Sequence, residues 1–292
     1  MSRADRDGEA GGRIAIVADR IGWEERELTT ELERRGIRAP WMNDESLGLG
    51  VPPTGSLNAD DLVLVRSRSY TRGGLLAAAF AAHGVPTINS AAAIRTSENK
   101  LLTRSVLHEH EIPVPEFRLV LSRKDFRSAV AELPLPLVIK PVFGGMGRRV
   151  FLIRDADTAQ SLYDYIEDLG HAFEQACLVE RYLGSRSIRC FVVGHEIVAA
   201  AEFESSGDGE WRSNAATGST QRGLAHGVEL RQIVDRVVDV LGPGIYGVDL
   251  FDQAGSLVVN EVNHAPAFRA IAETSEVDIV AVLGDYLQKS LS

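Results

Sequence analysis

The sequence predicts an α/β protein whose C-terminal half is of the α+β type. From residue 13 to about residue 96, short apolar strands alternate with helices, beginning with a strand at 13–19 and a helix at 23–35. Strands that alternate with helices indicate a parallel, doubly wound sheet. From Cys177 onward several strands follow one another directly, which gives the second half its α+β character.

The predicted N-terminal domain spans 13–96 and follows a polar, Gly-rich tail at 1–12. Its first helix carries leucines four residues apart on one face, and Gly36 follows at a position that glycine favours after a helix. Further strands are predicted at 61–67 and 85–89, with a helix between them at 73–83.

Two further domains are predicted, at 97–178 and 179–292. The closely spaced Pro113 and Pro115 end a Leu-rich helix at 99–111 and force an extended segment. The central domain continues with strands at 117–121, 137–141 and 150–153 and helices at 122–133 and 155–169. The C-terminal domain has three strands between 177 and 203, a helix at 227–241, a hairpin at 246–252 and 256–263, and a last helix at 277–291.

The composition excludes several classes of protein. The 292 residues include 31 Lys and Arg against 41 Asp and Glu, a net charge of −10 that argues against general nucleic-acid binding. No apolar run approaches the roughly 18 residues that span a bilayer, and no secretory leader is recognisable near the start. Two cysteines give neither a disulfide framework nor a metal-binding quartet, so we expect a cytoplasmic protein that does not bind membranes.

A glycine-rich loop at 143–150 lies between two predicted apolar strands and follows Lys140 at the end of the first. Its glycines allow backbone amides to approach phosphate closely, and the lysine supplies a positive charge. The spacing matches neither the Walker loop nor the dinucleotide fingerprint, both of which open a helix. The loop is therefore either a phosphate-binding lid or a plain hairpin loop.

The C-terminal hairpin carries a second chemical pattern. If its loop has three residues, 253–255, Asp249 faces Val259, and Glu261 and Asn263 follow on the same face with the two-residue period of a strand. A two-residue loop would break this arrangement. Two carboxylates and an amide are hard oxygen ligands of the kind that Mg²⁺ accepts, whereas the alternative is a solvated sheet face. The opposite, core-facing side would carry Val248, Leu250, Val258 and Val262.

Three cationic positions complete the candidate site. Lys100 begins a predicted helix, and Arg212 precedes Asn214 in a loop. Arg189 lies among apolar residues in the middle of a strand, where an arginine usually has an anionic partner. Each of them alone is more often part of a structural ion pair, but together with the acidic hairpin they suggest a site for a polyphosphate.

This order of features resembles the ATP-grasp ligases, and the chain resembles the LysX-like members of the RimK-type branch over essentially all of 13–289. The segments IGWEE, SYTRG and VNEVNH carry the specific part of the resemblance, whereas VIKP and GVDL fit the whole superfamily. The resemblance implies an ATP-grasp fold preceded by a Rossmann-like pre-ATP-grasp domain.

The resemblance also implies roles for individual residues. Lys100 and Lys140 would hold the phosphates of ATP and flank its adenine, and Arg189, Arg212 and Asn214 would surround the γ-phosphate and the acyl intermediate. The loop over the phosphates would be Gly144, Gly145, Met146, Gly147 and Arg148, and the linker whose backbone reads adenine would be Glu180, Arg181, Tyr182 and Leu183. The ligands of Mg²⁺, with two ions expected, would be Asp249, Glu261 and Asn263.

Four positions depart from the LysX-like pattern. Residues 144–148 replace the usual GSWGR, and Ser187 replaces an acidic residue two positions before Arg189. Thr217 stands where an arginine is usual, although its loop also resembles that of bacterial glutathione synthetases, and 265–270 replaces a Phe-Lys-Asn segment. The first and last of these changes bear on the acceptor substrate rather than on the ATP chemistry.

The implied activity is an ATP-dependent carboxylate–amine ligase that forms an amide through an acylphosphate. The carboxylate would be the C-terminal Glu of a small acidic carrier protein of the LysW type, and the amine an amino acid such as α-aminoadipate or glutamate. Arg66, Arg68 and Arg72 would either contact that acidic tail or form a solvated basic loop. The alternatives are a RimK-like glutamate ligase acting on another acceptor and a non-catalytic nucleotide-binding module. A homo-oligomer, dimer or tetramer, is also expected.

Overall fold

The computed structural model describes residues 12–50, 57–69, 71–145, 148–168, 176–205, 211–212 and 220–291. Three sheets form within these ranges. The first sheet is parallel in the order β2-β1-β3-β4 and contains β1 (Ile14–Ala18), β2 (Trp41–Asn43), β3 (Leu62–Val65) and β4 (Thr87–Ile88). The predicted parallel sheet is thus confirmed, while β2 escaped prediction because three residues are too few to show a period.

Helices cover both faces of the first sheet. Helix α1 (Trp23–Arg34) packs Leu28 onto one face, and α2 (Arg72–Ala82) packs Phe80 onto the other. Alternate residues of β1 belong to these two apolar clusters, as the two-residue period of a strand requires. The N-terminal region is therefore doubly wound, as the alternation of strands and helices predicts.

The middle part of the chain forms an antiparallel sheet with two covering helices. After α3 (Ala91–Glu98) and α4 (Lys100–Glu109), the chain forms β5 (Phe117–Val120), α5 (Arg123–Glu132), β6 (Leu137–Pro141), β7 (Phe151–Ile153), α6 (Ala156–Asp168) and β8 (Cys177–Arg181). The strand order is β5-β8-β6-β7. Phe126 of α5 and Tyr163 of α6 stack with their ring centroids 4.6 Å apart beneath this sheet. Strand β8 lies wholly in this sheet and so crosses the predicted domain limit at 178/179.

The remaining described residues form a five-stranded antiparallel sheet in the order β11-β10-β9-β12-β13. Its elements are β9 (Arg186–Gly194), β10 (Glu196–Glu204), β11 (Thr220–Gly223), α7 (Val228–Leu241), β12 (Gly244–Gln253) and β13 (Ser256–Asn263), followed by α8 (Arg269–Thr274) and α9 (Ile279–Leu291). None of the helices in the described ranges is long and apolar enough to cross a bilayer.

The two faces of the five-stranded sheet have different partners. One face packs on α7 and α4, where Val192 joins a core with Val234 and Leu107. The other face packs on the first sheet and α9, where Phe191 joins a core with Leu283. Both cysteines, Cys177 and Cys190, are buried as free thiols in separate cores.

The side chain of Asn89 joins the first sheet to the five-stranded sheet. Its Nδ2 donates to the carbonyls of Ile245 (2.8 Å) and His264 (3.1 Å), and its Oδ1 accepts from the N–H of Ile245 (2.6 Å). A Cβ at Gly244 would lie 2.3 Å from Asn89 Oδ1, so only glycine fits there. The buried side-chain amide of Asn89 therefore makes the hydrogen bonds to Ile245 that a neighbouring strand would otherwise make. Ile245 lies on β12, the strand that also carries Asp249.

We expect Asn89→Ala to lower the free energy of unfolding by about 2–4 kcal/mol, because the N–H and C=O of Ile245 would lose their partners in a buried interface. Urea denaturation with linear extrapolation measures the change. Asn58→Ala is the matched control: Asn58 is exposed and its Oδ1 accepts only a local bond from the N–H of Asp60. Equal losses of unfolding free energy in the two variants would contradict the conclusion that the hydrogen bonds of Asn89 join the two sheets.

Candidate active site

A cleft lies between the middle sheet and the five-stranded sheet, with walls from β6, β8, β9, β12 and β13. It is open to solvent on one side, and its empty space, the open mouth included, is about 1100 Å³. Fourteen of the seventeen predicted site residues line this cleft. The other three, Met146, Gly147 and Asn214, lie outside the described residues.

The turn of the C-terminal hairpin differs from the prediction. Gln253 pairs with Ser256, so the turn has two residues, Ala254 and Gly255. Both have positive φ, 55° and 91°, as a tight turn that matches the twist of its strands requires. The three-residue loop predicted from the sequence is therefore wrong.

A β-bulge nevertheless restores the acidic face. Strand β13 carries one extra residue, Asn260, so that Leu250 faces Val259 while the next pair along is Asp249 and Glu261. The predicted pairing of Asp249 with Val259 is wrong, but the two carboxylates face one another directly across the strands. The bulge also turns Val259, rather than the predicted Val258, into the core with Val248, Leu250 and Val262.

Each of these carboxylates has a cationic partner. Arg189 on β9 binds Asp249 through two parallel hydrogen bonds of 2.6 Å, which confirms the predicted anionic partner and raises the pKa of the guanidinium. Lys100 Nζ lies 2.9 Å from Glu261 Oε1 and also donates to the carbonyl of Gly144. Burial would raise the pKa of Glu261, but Lys100, Lys140 and Arg189 outweigh it and hold that pKa below its usual value.

The oxygen atoms of Asp249, Glu261 and Asn263 suit Mg²⁺, which commonly binds one or two carboxylates and takes its other ligands from water and phosphates. In the part of the chain that the structure describes, no three His, Cys, Asp or Glu side chains converge on one point. Both carboxylates are also engaged in ion pairs. This donor set therefore fits an ion that arrives with a nucleotide better than a free-standing metal centre.

Lys140 is buried in the floor of the cleft between Glu180 and Asn260. Its Nζ forms an ion pair with Glu180 and donates to Asn260 Oδ1 (3.0 Å). Burial, together with the like charge of Arg104, lowers the pKa of this lysine to about 8 against the pull of Glu180. Asn260 and Arg104 are absent from the predicted site. The only sequence signals are that Arg104 follows Lys100 by one helical turn and that Asn260 adjoins Glu261.

Two backbone N–H groups of the linker at 180–183 are already hydrogen-bonded to neighbouring segments. The N–H groups of Arg181 and Tyr182 donate to the carbonyls of Glu116 and Pro136, each at 3.1 Å. Contact of this linker with an adenine edge through an N–H group would therefore fall to Leu183. The ring of Tyr182 meets Trp211 edge to face at 5.8 Å, and both rings line the cleft, so Trp211 is a further wall residue that the sequence analysis missed.

The predicted basic cluster near the end of β3 is largely internal. Arg66 is buried, with its guanidinium 3.1 Å from Glu25 and 2.8 Å from the carbonyl of Pro266. Arg72 pairs with Asp44 and Glu45. Arg66 fits neither predicted alternative, because a buried, paired guanidinium is neither solvated nor exposed to a carrier tail. Arg66 instead ties together three segments that are distant in sequence, at 21–25, 66–72 and 264–269.

Two protein-family models match the chain. A LysX preATP-grasp domain matches residues 14–96, and a RimK-like ATP-grasp domain matches residues 97–287.

Named relatives and a solved structure agree with these matches. The glutamate–LysW ligase ArgX of Sulfurisphaera tokodaii is 28% identical over 283 residues, which cover 96% of this chain and 99% of that protein. The alpha-aminoadipate–LysW ligase LysX of Sulfolobus acidocaldarius is 28% identical over 272 residues, covering 91% and 98%. The RimK domain protein ATP-grasp from Sphaerobacter thermophilus has a TM-score of 0.79 at 26% identity, covering 94% and 99%. With the RimK-like model matching well over half of a chain that folds around such a cleft, this protein belongs to the RimK-like ATP-grasp family of ATP-dependent ligases.

Proposed function

We propose that the chain joins an amino acid to the C-terminal Glu of a small, acidic, LysW-type carrier protein. The observation that carries the proposal is the charge of the cleft. In a chain of net charge −10, the described residues line the cleft with six Lys and Arg side chains and three carboxylates, and each carboxylate is paired with one of the cations. Such a local excess of positive charge suits a polyphosphate and a second, carboxylate substrate.

The proposed roles follow the positions of the side chains. Lys140 binds the phosphates from the floor of the cleft, and Lys100, which contacts both Glu261 and Gly144, couples the glycine loop to the acidic hairpin. Arg189 and Arg212 lie at the γ-phosphate, and Asn214 is assigned there on the resemblance alone. Asp249, Glu261 and Asn263 would hold Mg²⁺, with two ions expected, and bound Mg²⁺ would neutralise charge on the transferring phosphoryl group.

The reaction needs no nucleophile from the protein. A carboxylate oxygen of the carrier attacks the γ-phosphorus of ATP, which gives an acylphosphate and ADP. The amine nitrogen of the amino acid then attacks the acyl carbon, loses a proton, and expels phosphate as the amide forms. Positively charged groups around the transferring phosphoryl group supply the main stabilisation of both steps, because charge develops there in the transition state.

The identity of the carboxylate substrate is the finer part of the proposal. Both named relatives are LysW ligases, one for glutamate and one for α-aminoadipate, which supports a carrier protein and leaves both amino acids as candidates. A carrier docked on the enzyme places its terminal carboxylate beside ATP and so converts a bimolecular encounter into a local one. It also helps to exclude water, which would hydrolyse the acylphosphate.

The test is to incubate the protein with Mg·ATP and a panel of amino acids, with and without a carrier that ends in Glu. We expect ADP release and a carrier mass increase equal to one amino-acid residue only when the carrier is present. A carrier that lacks its C-terminal Glu is the control.

Amide formation between free small molecules at the same rate would favour a small-acceptor ligase instead. Ligation of glutamate to an unrelated protein would favour the RimK-like alternative. Nucleotide binding without any turnover would favour a non-catalytic module.

We further propose the three predicted domains, 13–96, 97–178 and 179–292, with one change: β8 (Cys177–Arg181) belongs wholly to the middle domain, which moves the second limit to 181/182. A cytoplasmic homo-oligomer, dimer or tetramer, stays a prediction. Light scattering of the purified protein would measure its mass.

A further inference from the structure

A buried network of charges surrounds Lys140 at the floor of the cleft, and Arg104 lies behind its lining. Glu180 accepts from Lys140 on Oε1 and from Arg104 Nη2 on Oε2, the latter at 2.6 Å. The three side chains retain only 7%, 4% and 1% of their exposed surface for Lys140, Glu180 and Arg104. Two cations therefore share one carboxylate, and the network carries a buried excess of one positive charge.

Asn260 supplies the second link between the two cations. Its Oδ1 accepts from Lys140 Nζ at 3.0 Å and lies 3.4 Å from Arg104 Nη2. The residue can do this because it is the extra residue of the bulge in β13, the same bulge that places Glu261 opposite Asp249. A neutral oxygen between two cations holds them in place without cancelling their charge.

The network also connects three separate parts of the fold. Arg104 lies on α4, which packs against the five-stranded sheet, Glu180 lies on β8 of the middle sheet, and Asn260 lies on β13. Lys140 itself lies on β6, so the position of its ammonium relative to the acidic hairpin depends on contacts that cross the cleft.

We propose that Arg104 and Asn260 are positioning residues, which hold Glu180 and the ammonium of Lys140 in the arrangement that binds the nucleotide phosphates. The inference rests on the proposed function, because it takes Lys140 as a nucleotide ligand. Without Glu180 between them, the guanidinium of Arg104 would repel the ammonium of Lys140. Because Glu180 and Asn260 hold Arg104 in place, Arg104 keeps the Glu180 carboxylate oriented. The network as a whole keeps one net positive charge, which the ammonium of Lys140 can present to an anion.

The arrangement has a consequence for pH dependence. The charged groups that face Lys140 are Glu180 from β8, Arg104 from α4 and Glu261 from β13. Burial and Arg104 lower the pKa of Lys140 to about 8, and the two carboxylates oppose them. Nucleotide affinity in the unchanged protein should therefore fall as the pH rises through about 8. Without the guanidinium of Arg104, Lys140 keeps its proton to higher pH. The pH at which nucleotide affinity falls should therefore rise by about one unit.

The experiment measures the dissociation constant of Mg·ADP by calorimetry from pH 7 to pH 9.5. We expect Arg104→Met and Asn260→Leu each to weaken binding about tenfold at pH 7, a loss typical of residues that orient a ligand-binding group. Only Arg104→Met should move the alkaline fall upward. Arg104→Lys, which keeps the charge, should return that fall to its original pH. Arg13→Met is the matched control, since Arg13 pairs with Asp61 at the start of β1 and β3, outside the cleft.

Each outcome bears on the inference. Unchanged affinity and an unchanged pH profile in both Arg104→Met and Asn260→Leu would overturn it, whatever the proposed function. If Arg104→Met does not fold, the test uses the affinity of Asn260→Leu at pH 7 and the pH profile of Arg104→Lys. If the unchanged protein fails to bind Mg·ADP, the proposed function fails first, and the inference fails with it. A profile that moves equally in Arg13→Met would indicate a general effect of lost stability and would also overturn it.

Discussion

Glu261→Gln is expected to lower the turnover of ATP with carrier and amino acid by about 10³-fold while the protein stays folded. Glutamine keeps the shape of the side chain but removes the charge that faces Asp249 across the hairpin. The substitution should leave the core intact, because β13 packs inward through Val259 and Val262 on its other face. Proposed binding of Mg²⁺ would then rest on a single carboxylate, and Lys100 would lose its anionic partner.

Glu202→Gln is the matched control for this substitution. Glu202 lies on β10 of the same sheet and is likewise paired with arginines, but it lies outside the cleft lining. Its variant should retain most of the activity. Steady-state ADP release and far-UV circular dichroism measure the two effects. A folded Glu261→Gln protein with normal turnover would refute the assignment of this hairpin to metal and phosphate chemistry.

The layers of the fold could be predicted from periodicity, because each strand and helix repeats its apolar residues along its own length. The helix at α7 is an example, since Leu230, Val234 and Val237 form one stripe that the structure buries. The acidic face of the hairpin could also be predicted as a set, because a strand alternates its faces. That the fourteen predicted site residues described by the structure line one cleft follows from the collinear motifs rather than from any local pattern.

What escaped prediction depends on contacts between distant segments. The bulge at Asn260 has no sequence signal of its own, and the correct facing of Asp249 and Glu261 arises because the bulge compensates for a shorter turn. Arg66 and Arg104 both look like ordinary surface cations in sequence, yet both are buried against carboxylates from other elements. The sequence contains these pairs, but only the fold brings the partners, 41 and 76 residues apart, together.

Arg189→Met is expected to lower the free energy of unfolding by about 2–4 kcal/mol and to abolish turnover. Breaking the bidentate pair leaves Asp249 as a largely buried carboxylate without its cation, and such a loss costs about 3–5 kcal/mol for a fully buried pair. We expect about 2–4 kcal/mol rather than the value for a fully buried pair, because the Arg189 side chain keeps 27% of its surface exposed. Arg186→Met on the same strand is the control: Arg186 is mostly exposed beside Glu202, so its loss should cost below about 1 kcal/mol.

The same variant separates the metal assignment from a purely structural role of the pair. In the unchanged protein, Arg189 already neutralises Asp249, so Mg²⁺ alone has little to gain there. In Arg189→Met the carboxylate lacks that cation, and a ligand that binds only the folded state raises stability by mass action. Added MgCl2 should therefore raise the unfolding temperature of Arg189→Met more than that of the unchanged protein, whereas Arg186→Met should respond like the latter. Equal responses in all three proteins would show that Asp249 does not bind the ion. The loss of turnover in Arg189→Met would then be attributed to the proposed role of the arginine at the γ-phosphate.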